Sequence, residues 1–153
     1  MKNISFVLVG LVICVSFGDL VFADSQLWQN KAEREIADVV QQMFNALGAN
    51  KFDKYEKLVT QDFYLYDVGK RFSRDAFADV IKKDIAKGVK FNWVITEPEA
   101  HVSNNVAWVT YKNRGSFESH KGKQQKTWLE SAVLEREGKH WRIRFLHSTL
   151  VTN

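Results

Sequence analysis

The chain has 153 residues, 45% hydrophobic, 13% aromatic and 26% charged, with a formal net charge of +4, a composition that excludes both a disordered and a membrane-embedded protein. One proline and eight glycines leave no room for a Pro/Gly-rich linker, and no stretch is dominated by one or two residue types, so repeat arrays and low-complexity tails are excluded too. One folded domain is expected.

The chain opens like a secretory signal. Lys2 precedes an apolar run from Ile4 to Phe17, followed by Asp19 and by Val21-Phe22-Ala23 ahead of Asp24-Ser25, the order of a signal peptide cut after Ala23. The run is shorter than the ~20 apolar residues of a spanning helix, and bulky Ile13 before Cys14 argues against a lipid-attachment signal. The expected division is therefore a cleaved segment 1–23 and a single domain 24–153, exported to the periplasm or secreted, with no membrane association after cleavage. Removal takes Lys2 and Asp19 and leaves the charge at +4. It also takes the sole cysteine, Cys14, so no disulfide framework, thiolate nucleophile or cysteine-based zinc site is expected.

From Ala32 to Leu47, residues Ile36, Val39, Val40, Met43 and Leu47 recur at helical spacing, with Gly48 placed to end the helix. Asn50 is expected to cap a second, shorter helix through Tyr55, Leu58 and Val59. Asp62 to Asp67 contains Phe63, Tyr64, Leu65 and Tyr66, too short for a helix and rich in strand formers. Ser73 is a candidate N-cap for a third helix carrying Phe77, Val80, Ile81 and Ile85, closed by Gly88. After that the period changes. Residues 89–101, 105–118, 124–136 and 140–151 read as four strands of an antiparallel meander. Pro98 points to an edge position or a bulge in the first of them. The expected class is α+β, with helices covering one face of the sheet.

Gly138-Lys139 suits a type II′ turn, which places Glu137 opposite His140 and, at constant register, Leu134 opposite Ile143, Ala132 opposite Phe145 and Glu130 opposite His147. That face carries Trp128, Ala132, Leu134, Trp141, Ile143 and Phe145, interrupted by Glu130 and His147 and, at its ends, by Arg136 and Thr149, and resembles the wall of a pocket. A one-residue slip would instead oppose Ala132 to Arg144 and Glu130 to Leu146, with less segregated faces. Treating Lys121-Gly122 as another two-residue turn brings Asn113 opposite Glu130, with Tyr111 two positions along.

Glu130 and His147 are thus candidates for acid/base chemistry, Glu130 through a pKa raised by an apolar wall; a satisfied buried pair is the alternative. Asp67, ending an aromatic strand beside Val68-Gly69, reads as an Asx-turn cap or as a second acid at a cavity mouth. Tyr64, Trp93, Trp108 and Trp128 are candidates to line the cavity, or plain core. Tyr111, Asn113 and Arg144 are candidates to orient a ligand. His101, His120 and His140 lie near turns with no second ligand at suitable spacing, so no metal site is expected. The basic residues Lys112, Arg114, Lys121, Lys123 and Lys126 read as a solvated hairpin tip rather than a nucleic-acid surface.

Several strings resemble the nuclear transport factor 2-like superfamily, and within it the SnoaL-like branch: Asn45 to Asp53 leading into Lys57-Leu58-Val59-Thr60-Gln61-Asp62-Phe63, then Trp128-Leu129-Glu130-Ser131, and Gly138 to Ile143 followed by Leu146-His147-Ser148-Thr149. The resemblance covers residues from about 30 to 151. It implies a cone of three N-terminal helices on a strongly curved, mostly antiparallel sheet, a cavity at the wide end, and often a homodimer through the outer face. No cofactor is expected. Members include ketosteroid isomerase, scytalone dehydratase, polyketide cyclases and a kinase association domain, and no catalytic set among them matches this chain. Three readings follow: a binder of a small, largely apolar ligand; an isomerase, dehydratase or cyclase; and a homodimerising interaction module.

Overall fold

The computed structural model describes the backbone of residues 17–152 and the side chains of residues 31–152. The elements are α1 (Phe17–Gly48), α2 (Phe52–Leu58), β1 (Val59–Asp67), β2 (Lys70–Ser73), α3 (Arg74–Ala86), β3 (Lys90–Ser103), β4 (Val106–Ser119), β5 (Gly122–Glu137) and β6 (His140–Leu150). α1 runs unbroken through the expected cleavage point after Ala23. The rest of that segment, residues 1–16, lies outside the described residues.

The ends of the helices follow from local chemistry. Asn50 adopts φ 57°, its N–H bonds to the Leu47 carbonyl and the Lys51 N–H to that of Ala46, so a left-handed residue terminates α1. Asn50 therefore closes the first helix instead of capping the second, whose N-cap is Lys51 without a side-chain bond. Gly88, at φ 85°, closes α3 in the same way. Ser73 caps its start, Oγ accepting from the Ala76 N–H.

The six strands form one mixed sheet in the order β2-β1-β6-β5-β4-β3. β3 to β6 are the expected antiparallel meander, while β1 lies parallel to β6. β2 was not legible in the sequence: its turn is Val68-Gly69, both left-handed, with a β-branched residue where Asn or Asp is usual. Because α3 follows the β1–β2 hairpin, the three helices are not all N-terminal, and the strong curl expected of the sheet is not borne out. β3 is an edge strand with a bulge between Thr96 and Glu99, where Pro98 sits.

Ile36, Val40, Met43 and Leu47 of α1 are fully buried with Val109, Ala132, Leu134 and Ile143 of the sheet. α1 also ties down the edge strand. The Gln41 amide donates to the Trp93 carbonyl and accepts from the Ile95 N–H, both at 2.9 Å. A side chain thus stands in for a neighbouring strand and fixes Trp93 in the interface.

Candidate functional site

The geometry of the site is decided by a bulge in β6. Glu137 pairs with His140 and Leu134 with Ile143, as the turn requires. The register then shifts: Val133 pairs with Phe145, Ala132 with Leu146, Ser131 with His147 and Glu130 with Ser148. One extra residue, Arg144, is accommodated on the outer face, where its guanidinium reaches Glu135 at 2.9 Å and Asp62 at 3.0 Å. The expected pairing of Glu130 with His147 is therefore wrong, and so is that of Ala132 with Phe145. His147 and Phe145 turn outward while Leu146 and Ser148 face the helices.

The next hairpin also differs by its turn. Ser119 pairs with Gly122, so the loop is His120-Lys121 and not Lys121-Gly122. Tyr111, not Asn113, lies directly opposite Glu130, and Asn113 faces Trp128. A polar row nevertheless crosses three adjacent strands: Tyr111, Glu130 and Ser148.

Glu130 is buried and accepts two hydrogen bonds, from Ser148 Oγ at 2.8 Å and Asn113 Nδ2 at 3.1 Å. Both donors are neutral. The Tyr111 hydroxyl is buried beside the same carboxylate without a well-formed hydrogen bond, and among the described residues Asn113 Oδ1 also has no partner. Burial pushes the Glu130 carboxyl up to about 7, against the opposing pull of the Ser148 and Asn113 donors and of the Tyr111 hydroxyl beside it, with the nearby Asp67 charge adding to the rise. Burial likewise raises the Tyr111 phenol, reinforced by Glu130.

Glu130 borders a cavity of about 160 Å³ between the sheet and the helices. Phe44 of α1 and Phe77, Val80 and Ile81 of α3 close it from the helix side. Phe91, Trp93, Phe117 and Trp128 form its aromatic wall, and Leu65, Leu146, Ser148 and Asp67 complete it. Phe91 stacks on Trp93 with centroids 4.9 Å apart, and Phe117 meets both rings and Trp128 edge-on. Trp128 lies over the strand because position 115 is glycine: a Cβ there would stand 2.6 Å from the indole and 2.9 Å from the Phe117 ring. The cavity shares Asp67, Phe91, Phe117 and Trp128 with an outer cleft of about 380 Å³ that also holds Lys121, Lys126 and Asp84.

Asp67 has both of its expected roles open to it. Its Oδ1 accepts from the Val68 N–H at 2.9 Å, capping the turn, and its carboxyl lies where cavity and cleft meet. Partial burial raises its pKa, opposed by the Val68 N–H and by Lys126. Trp93 and Trp128 line the cavity; Tyr111 and Asn113 stand beside Glu130. The other candidates are elsewhere. Tyr64 packs on Phe145 of the outer face under the Arg71 guanidinium. His147 is exposed beside Tyr66, Trp108 is exposed and stacks on His101, and Arg144 is held by its two carboxylates. No group of three or more His, Cys, Asp or Glu side chains among the described residues is placed to hold a metal.

Ser148 was missed because it is displaced by the bulge, and Phe91 and Phe117 because they read as plain strand residues. The alternation Phe91-x-Trp93 opposite Phe117 was the available signal.

A SnoaL-like domain matches residues 36–152. The chain belongs to the SnoaL-like domain family. This SnoaL-like domain is similar in structure to a protein of unknown function from Mycobacterium tuberculosis, at 13% identity and a TM-score of 0.73, over 82% of this chain and 79% of the other. It is similar to a putative dehydratase of the NTF2-like family from Streptomyces avermitilis, at 13% identity and a TM-score of 0.71, over 81% of this chain and 99% of the other. A third similar structure is the CaMKII association domain of C. elegans, at 17% identity and a TM-score of 0.67, over 79% and 97%. At these identities the likeness is one of fold. No curated protein matches the sequence.

Proposed function

We propose that the domain binds a small, largely apolar molecule in the cavity beside Glu130, with one polar group of the ligand meeting Glu130 and Ser148. The observation that carries this reading is a carboxyl group on an aromatic-lined void, held among the described residues by neutral donors alone. Such a group is costly to bury and makes little sense as packing. Native mass spectrometry of protein purified without organic additives should reveal a retained molecule. Glu130→Gln should change its retention while the protein still melts cooperatively; a large loss of stability with unchanged retention would count against the site.

A second reading is acid/base catalysis. It is favoured by the position of the Glu130 carboxyl near 7, where a group gives and takes protons with least mismatch at neutral pH. In that case a pH–rate profile on an activated carbonyl substrate should carry an ionisation near 7 that vanishes in Glu130→Gln. Homodimer formation belongs with either reading. The outer face exposes Tyr66, Trp108 and Leu129 at 43%, 44% and 53%, and one structurally similar protein is named an association domain. Light scattering over a concentration series tests it, and a strict monomer removes it. Export is tested by N-terminal sequencing of the protein made in a secreting host, with Asp24 expected first.

A further inference from the structure

The cavity has an uneven chemistry. Among the described residues, six aromatic side chains line it, those of Phe44, Phe77, Phe91, Trp93, Phe117 and Trp128, and its two ionisable groups are both carboxyls, Asp67 and Glu130. No lysine, arginine or histidine among the described residues lines it. Glu130 is bonded by Ser148 from β6 and Asn113 from β4, with Tyr111 of β4 beside it and Asp67 of β1 acting through its charge. The residues that α1 and α3 place on the cavity are Phe44, Phe77, Val80 and Ile81, none of them titratable. Lys126 of β5 lines the outer cleft with Lys121 and acts on Asp67.

We infer that this cavity selects an organic cation, an amine or ammonium group on an apolar body of about one ring. The inference rests on the binding reading above and adds the charge of the ligand. An anionic guest would meet the buried Glu130 carboxyl with Asp67 at the mouth, and a neutral guest would leave Glu130 without a counter-charge. A cation supplies that counter-charge, and the negative faces of the aromatic rings attract it further. The volume sets the size: an apolar cavity of about 150 Å³ is known to take benzene, and this one is about 160 Å³. Because a bound cation favours the carboxylate form, the protein should release a proton on binding at pH values below about 7, and affinity should fall as acid protonates Glu130.

Titration calorimetry of the full chain with benzylamine, benzyl alcohol and benzoate tests this directly. At pH 8 benzylamine should bind at least about tenfold more tightly than benzyl alcohol, with benzoate weakest, and the margin should shrink several-fold at pH 5.5. Glu130→Gln should reduce the margin to about threefold or less while benzyl alcohol still binds, which shows that the cavity remains formed. Asp67→Asn serves as the second variant and should reduce the margin less. If benzyl alcohol binds the unaltered protein as tightly as benzylamine, cation selection is wrong and the cavity reading stands. If none of the three binds, both are wrong. A margin unchanged in both variants would also overturn the assignment, since these carboxyls would not be its source.

Discussion

The two faces of β5 and β6 come from the same two strands and end in opposite states. On the inner face Leu134, Ala132, Ile143 and Leu146 are buried against the helices, and the polar exceptions, Glu130 and Ser148, bond to each other. On the outer face Leu129 and His147 are exposed, and Arg144 lies between two acidic partners. A single extra residue in β6 assigns the side chains to one face or the other. The lesson is that a strand's chemistry is fixed by parity, and one bulge reverses parity for everything beyond it.

This contrast can be broken at several points. The largest effect should come from the inner face: Leu134→Ala removes a fully buried side chain and should cost about 2–5 kcal/mol by denaturant titration. The next concerns pH. The folded state holds the Glu130 proton more tightly than the unfolded one, with a pKa of about 7 against 4.5. Its contribution is therefore complete below about 4.5, is lost as pH rises to about 7, and stays lost above, a loss on the order of 3 kcal/mol at most. Stability measured from pH 4 to 8 should show that decline in the unaltered protein and a flatter profile in Glu130→Gln. Gln41→Ala should cost about 1–3 kcal/mol by removing both bonds to the edge strand. The smallest changes belong to the outer face, where Leu129→Ala and His147→Ala should each stay within about 0.5 kcal/mol. A cost for Leu129→Ala that grows with protein concentration would sharpen the comparison by exposing a dimer.

Much of the fold was legible because its signals are local. The apolar stripe of α1, the Ser73 cap, the Gly88 terminus and the strands of the meander each depend on a few neighbouring residues. Pro98 marked the edge strand and its bulge for the same reason. β2 escaped because Val68-Gly69 is an uncommon tight turn, and Asn50 was assigned to the wrong helix because a residue suited to capping is equally suited to left-handed termination. The site was legible in part. Glu130, Trp93 and Trp128 stand out as polar or large residues at inward positions, and Asn113 and Tyr111 reach Glu130 in exchanged roles because the turn is displaced by one residue. His147 and Ser148 could not be told apart, since the bulge at Arg144 is stabilised by Asp62 of another strand, a partner no local pattern predicts.

The most direct test of the account is the titration of Glu130 itself, followed by carbon-13 NMR of the labelled side-chain carboxyl and assigned by its absence in Glu130→Gln. A midpoint near 7 is expected, moving downward when benzylamine is added. A midpoint near 4.5, indifferent to the amine, would mean that the carboxyl is solvated, and the site built around it would fall.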